Sequence, residues 1–221
     1  SKAYPQNDET TKYLKKLNVK KLLVILNITK RNIIAQQILK KLNLKNVKLF
    51  ERRSRGLASA FLLGLINSSK DIVGWIDSNQ GKLIEKYPEM INQLDTNDLV
   101  LLSRYVDGGK DERNLVRVLS SRLINTLGRF VLKSKIKDLS SGIFVMKREV
   151  LLDVVPIASG HGEFMVEFLH HAEIKGNKIK EIPYTHPIDI EGNSKSFPSI
   201  TKFFTFGFFY VWRLFQTIFR R

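Results

Sequence analysis

Apolar residues arrive along this chain in short runs separated by amphipathic stretches. Residues 21–26 (KLLVIL), 47–50, 72–76, 99–103, 143–146 and 179–184 are apolar segments of strand length. Residues 33–42, 56–66, 87–94, 113–132 and 163–175 instead repeat their apolar positions at helical spacing, and 13–17 looks like part of a further helix. Such alternation predicts an α/β fold with a mostly parallel mixed sheet. No internal repeat or low-complexity linker interrupts it before Pro187.

The pattern changes at residues 197–221, which carry eight phenylalanines, one tryptophan and one tyrosine among Lys202, Arg213, Arg220 and Arg221. The longest charge-free run inside those cations, residues 203–212, is well short of the roughly 20 residues that a spanning helix needs. Aromatic bulk with terminal arginines suits an interfacial helix projecting from a domain formed by residues 1–196, and a membrane helix or a core helix are the alternatives.

Composition narrows the partners. With 221 residues and 43% hydrophobic content the chain buries a substantial core. Having no cysteine, it forms no disulfide and no thiolate metal site. A formal charge of +16 asks for an anionic partner: nucleic acid, a phosphorylated substrate or acidic lipid. Nucleic acid is the weakest of these, because the cations are scattered while the aromatics gather in one apolar tail. The opening Ser1-Lys2 suggests a processed chain without a signal-peptide pattern.

Candidate chemistry concentrates after the strand at 72–76, where Asp77-Ser78-Asn79 delivers a carboxylate and an amide to the C-terminal edge of a sheet, the usual place for ligands. His161, His170, His171 and His186 do not form a zinc helix pattern, since adjacent His170 and His171 diverge by about 100° around a helix. Glu163 and Glu167 share a helix face, which suggests a site edge or a solvated face. Neither a Walker phosphate loop nor a Rossmann glycine fingerprint is present.

Several motifs then fall in a consistent order. They are Arg55-Gly56-Leu57-Ala58-Ser59-Ala60, Asp77-Ser78-Asn79 with Glu85 and Pro88-Glu89-Met90, and Ser103-Arg104-Tyr105-Val106 with Gly108-Gly109. Ser121-Arg122 with Asn125 comes next, then Lys137-Asp138-Leu139-Ser140-Ser141-Gly142 with Arg148-Glu149-Val150-Leu151. Glu181-Ile182-Pro183 and Gly192-Asn193-Ser194-Lys195 close the series. In these motifs residues 4–212 resemble a family-2 glycosyltransferase of the dolichol-phosphate mannose or polyprenol-phosphate sugar synthase type.

The resemblance implies a GT-A-like nucleotide-sugar transferase fold and transfer of a sugar, mannose or glucose, from a nucleoside-diphosphate sugar to a polyprenyl or dolichyl phosphate. The reaction would take place at the cytoplasmic face of a membrane, without nucleic acid. By the same resemblance Asp77 and Asn79 would hold Mg²⁺ or Mn²⁺, Arg104 would face the donor phosphates, and Arg117 and Ser121 would bind the lipid phosphate. Asn27, Arg55 and Gly56 would contact the donor, with Lys195 closing over it.

Four positions depart from the family pattern. Asn27 and Asn79 stand where carboxylates are usual, Gly81 where a glutamine often lies, and Asp189 near the place of a lid arginine. A second class therefore stays open, a catalytically degenerate relative that binds lipid phosphate or regulates a partner.

Overall fold

The structure is a computed structural model and describes residues 22–27, 47–52, 56–76, 78–157, 160, 162–188 and 200–220. Its strands are β1 (Leu22–Asn27), β2 (Val47–Arg52), β3 (Ile72–Trp75), β4 (Leu99–Ser103), β5 (Lys110–Asp111), β6 (Phe144–Lys147), β7 (Ile179–Pro183) and β8 (Thr185–His186). Its α-helices are α1 (Leu57–Asn67), α2 (Tyr87–Asn92), α3 (Leu115–Leu132), α4 (Val150–Asp153), α5 (Phe164–Ile174) and α6 (Ile200–Phe219). Tight 3-10 turns, Ser78–Lys86, join β3 to α2. The helices expected at 13–17 and 33–42 lie outside the described residues.

Strand β4 is buried along its whole length, which explains its unbroken Leu-Val-Leu-Leu run: it is covered on both faces. Leu99 and Leu101 join a cluster with Phe61, Phe144 and Phe168, while Val100 and Leu102 join Met90, Val145 and Ile182 on the other face. Phe61 of α1 meets the edges of Trp75 and Phe144 at centroid distances of 5.2 and 5.3 Å, anchoring that helix to the sheet.

The four-stranded sheet has the order β3-β6-β4-β7. Strand β6 runs antiparallel to β3 and to β4, and β7 is parallel to β4. Hence β3, β4 and β7 all point the same way, and their C-terminal ends share one edge. Trp75 and Leu101 both stand opposite Phe144, so β3 ends two residues short of β4, while Ser103 stands opposite Pro183 and β4 and β7 end level. Strands β1 and β2 form a separate parallel pair from Leu22↔Val47 to Asn27↔Arg52.

Helix α6 corrects the expectation of a helix projecting from the domain. It packs on α3 and α5, and its Leu214 belongs to the same core cluster as Phe61. Arg213 and Thr217 are buried beside it, the Thr217 hydroxyl donating to the Arg213 carbonyl at 2.7 Å. Among the described residues no helix is long and apolar enough to cross a membrane.

Candidate active site at the C-terminal sheet edge

Arg104 follows the last residue of β4, at the edge where β3 and β7 also end. The chain turns back at once through Gly108, whose φ of 85° favours glycine, and Gly109. A Cβ on Gly109 would sit 2.7 Å from the Ser103 carbonyl oxygen, so only glycine lets the return segment pass so close to β4. That turn sets up β5, parallel to β8, and brings the Asp111 carboxylate to 3.6 Å from the Arg104 guanidinium.

A second carboxylate reaches Arg104 from the loop before β6. Asp138 is fully buried and accepts three hydrogen bonds from Arg104, from its backbone N–H (3.0 Å), its Nε (2.8 Å) and its Nη2 (2.6 Å). Arg104 Nη2 also donates to Ser140 Oγ at 2.7 Å. Glu181 of β7 holds the start of that loop, accepting from the backbone N–H groups of Lys137 and Asp138 at 2.7 and 2.9 Å.

Asp138, Arg104, Asp111 and Arg113 thus form an alternating chain of charges, the last link an Arg113–Asp111 pair closed at 2.8 and 2.6 Å. Burial works against the charge on Arg104, yet Asp138 overrides it and leaves the guanidinium more firmly protonated than usual. Burial likewise pushes Asp111 up, but hydrogen bonding and charge from Arg113, with Arg104 behind it, hold its carboxyl at about 2. Burial pushes the Tyr105 and Tyr184 phenols up, so both stay neutral hydroxyls beside these cations.

Helix α3 supplies the facing wall. Asn114 caps its start by accepting from the Arg117 backbone N–H at 3.0 Å. Arg117, Ser121 and Asn125 then recur at every fourth residue and lie on one face. Arg117 is buried, Ser121 reaches the Tyr105 hydroxyl, and Asn125 bonds Ser140 twice, Nδ2 to Oγ at 2.9 Å and Oδ1 from the backbone N–H at 3.2 Å.

The structure brings Arg104 and Ser121 together around Tyr105, with Arg117 on the Ser121 face of α3. It leaves Arg104 only 6% exposed, with its guanidinium committed to Asp138, Ser140 and Asp111. Gly56 stands at the N-cap of α1 with φ 134° and accepts from the Ala60 N–H and the Ser59 hydroxyl, both at 3.2 Å. Asn27 is the last residue of β1, paired with Arg52, and Asn79 lies in the 3-10 turns after β3. Asp77, Arg55 and Lys195 lie outside the described residues.

Among the described residues no group of three His, Asp or Glu side chains is arranged for a metal ion. A carboxylate and an amide two residues apart are nevertheless both hard oxygen donors, the type that Mg²⁺ and Mn²⁺ take.

Three features escape the motif reading. Asp138, legible only as part of a motif, is the partner of Arg104; Asp111 and Arg113 carry the charge chain onward. Glu167, expected at a site edge or solvated face, is buried and paired with Arg213 at 3.0 Å and Arg220 at 3.3 Å of α6 and its end. His186 faces Gln80 at 3.2 Å, tying β8 to the turns that contain Asn79.

Residues 32–155, more than half of the chain, match the family described as Glycosyl transferase family 2. Over 148 residues, 63% of this chain, the sequence is 29% identical to the polyprenol monophosphomannose synthase of Mycolicibacterium smegmatis, and it spans 56% of that relative's length. The fold is similar to glucosyl-3-phosphoglycerate synthase from Mycobacterium tuberculosis in complex with uridine-diphosphate, with a TM-score of 0.66 at 16% identity, covering 96% of this chain and 74% of that one. For the same enzyme with Mn²⁺, uridine-diphosphate and phosphoglyceric acid the TM-score is 0.67 at 16% identity, over 96% and 72% of the two chains. A further mycobacterial protein gives 0.68 at 14% identity, over 98% and 71%. These likenesses show a GT-A-like α/β fold.

Proposed function

We propose, from the premise that the chain belongs to glycosyl transferase family 2, that it transfers a sugar from a nucleoside-diphosphate sugar to a polyprenyl or dolichyl phosphate at the cytoplasmic face of a membrane. Mannose and glucose are the favoured sugars, because one relative is named for mannose and the structural neighbours for glucose. The observation that carries this reading is the Arg117–Ser121–Asn125 face of α3, set against the sheet edge where β3 and β4 end.

In this reaction an oxygen of the acceptor phosphate bonds to the anomeric carbon as that carbon's bond to the diphosphate oxygen breaks, and the nucleoside diphosphate leaves with the electron pair. The acceptor is already ionised near neutral pH, so positioning and charge neutralisation do most of the work and no general base is required. Arg117 and Ser121 hold the acceptor phosphate, while Asn27, Arg55, Gly56 and Lys195 contact the donor. Asp77 and Asn79 would hold the divalent cation, which when bound would neutralise charge on the leaving diphosphate. Arg104 acts as a positioning residue: clamped by Asp138 and Asp111, it fixes the loop that carries Ser140 against Asn125.

Asn79, standing where the family has a carboxylate, favours one alternative: a relative that binds lipid phosphate or regulates a partner without turnover. Transfer assays with GDP-mannose and UDP-glucose against a polyprenyl phosphate, with Mn²⁺, separate the two. Lipid-linked sugar that disappears in Asp77→Ala supports the enzyme. No transfer and no donor binding at any Mn²⁺ concentration overturns it in favour of the non-catalytic relative.

A further inference from the structure

Strand β8 is only two residues long, yet its place is firmly set. Tyr184, just before it, donates its N–H to the Ser103 carbonyl at 3.1 Å. The carbonyls of Tyr184 and His186 accept from the N–H groups of Lys110 and Glu112, both at 3.0 Å. His186 stands opposite Asp111 in this pairing, so its imidazole rises from the same platform as the charge chain.

The turns after β3 have weaker support. They are 3-10 stretches, whose hydrogen-bond geometry is poorer than that of an α-helix, and Gln80 interrupts them with a non-helical φ of −113° and ψ of 18°. Residues 77–82, Asp-Ser-Asn-Gln-Gly-Lys, offer no apolar side chain. Burial therefore anchors the segment from Leu83 and Ile84 onward, beyond that kink.

The Gln80 amide bridges the two regions, its Nε2 lying 3.2 Å from His186 Nε2. One form of the imidazole suits both of its neighbours. Nδ1 lies 3.0 Å from the Pro187 carbonyl oxygen, which only accepts, so Nδ1 carries the hydrogen. Nε2 is then a bare lone pair and accepts from the Gln80 amide. Burial pulls the pKa of the ring below its ordinary value; the Pro187 carbonyl and Asp111 act the other way, while Arg113 and Arg104 reinforce the burial. The ring is thus neutral near pH 7, as the bond to Gln80 requires.

We infer that His186 is a positioning residue, which through Gln80 holds the turn carrying Asn79 in place against the charge chain of Arg104 and Asp111. The inference deepens the proposed function and rests on that reading for its purpose. A cation on this turn binds well only while its ligands keep their places, and groups standing behind metal ligands commonly govern affinity by about tenfold or more.

Two substitutions separate the two ring nitrogens. His186→Gln reaches as far as Nε2 and keeps an acceptor for Gln80, while His186→Asn reaches only as far as Nδ1. The measurement is calorimetric titration of the full chain with GDP and with UDP, each with and without Mn²⁺. His186→Asn and Gln80→Leu should each weaken binding with Mn²⁺ by about tenfold and leave Mn²⁺-free binding within about twofold. Combined, they should lose no more than either alone, because both remove the same bond. His186→Gln should stay within about twofold of the unsubstituted chain. Equal weakening with and without Mn²⁺, additive losses, or failure of His186→Gln to restore binding overturns the inference.

Hydrogen exchange of the metal-free protein gives a readout independent of nucleotide. Amides of residues 78–86 should exchange at least about fivefold faster in His186→Asn but not in His186→Gln, with those of α5 unchanged in both. Unchanged exchange at 78–86 in His186→Asn overturns the inference even where the unsubstituted chain binds nucleotide with Mn²⁺. Faster exchange in a chain whose nucleotide binding ignores Mn²⁺ strikes the proposed function and leaves the tie between His186 and Gln80 standing.

Discussion

The sheet edge and the outer face of helices α3 and α6 invert the usual distribution of side chains. At the edge, Asp138, Arg104 and Asp111 are removed from water, and each meets a partner of opposite charge. On the outer helices leucines, phenylalanines and Trp212 stand exposed to solvent, Phe208 stacking on Trp212 and Phe215 meeting Phe219. Burying charge is costly and is tolerated when pairing and hydrogen bonds compensate it, so the edge is a place where geometry is fixed at the expense of stability. Exposed hydrocarbon costs the folded state little and matters when something docks. One region is therefore rigid and sensitive to any single loss, and the other is permissive until a partner arrives.

Substitutions sharpen that contrast. Asp138→Ala leaves Arg104 buried with Asp111 as its remaining charge partner, and should cost about 3 kcal/mol or more in urea unfolding. A loss below about 1 kcal/mol would break the description of a tightly coupled edge.

A smaller effect comes from Asp111. Its carboxyl sits at about 2 when folded, below the roughly 3.9 of a free aspartate, so its stabilisation is fully present above about pH 4 and drains away as the pH falls toward 2. Asp111→Asn should remove about 2 kcal/mol at pH 6 and flatten the wild-type decline between pH 4 and 2. The check is unfolding free energy measured across that range, and an unchanged acid profile would show that Asp111 is not held by its arginines.

The smallest effect belongs to the outer face. Leu123→Ser should alter the unfolding free energy by no more than about 0.5 kcal/mol, because the side chain is already exposed. A loss of about 2 kcal/mol would mean that this leucine is covered in solution.

The long elements were legible in the sequence because their patterns are local. The run at 99–103 reads as a strand, found at Leu99–Ser103, and residues 113–132 read as one helix, found at Leu115–Leu132. The two-residue strands β5 and β8 are too short to show a period, and the turns at Ser78–Lys86 carry no apolar repeat. The site was half legible for a different reason. Arg104 and Asp138 each stand in a recognisable motif, but their pairing joins residues 34 apart and follows from sheet topology, which no spacing rule encodes. The return of Asp111 depends on how closely Gly109 passes the Ser103 carbonyl, a contact visible only in three dimensions.

The buried pair between Glu167 and Arg213 solves a problem of choice. Helix α6 offers aromatic side chains around most of its circumference, so hydrophobic attraction alone would accept several rotations of the helix about its own axis. Arg213 breaks that degeneracy, because only one rotation delivers its guanidinium to the carboxylate, 3.0 Å away, and leaves no ion stranded in hydrocarbon. Replacing the pair with two leucines should preserve or even raise stability while allowing the helix several orientations. The ion pair acts as a key that admits one face of an otherwise ambiguous cylinder, and thereby decides which aromatics remain outside.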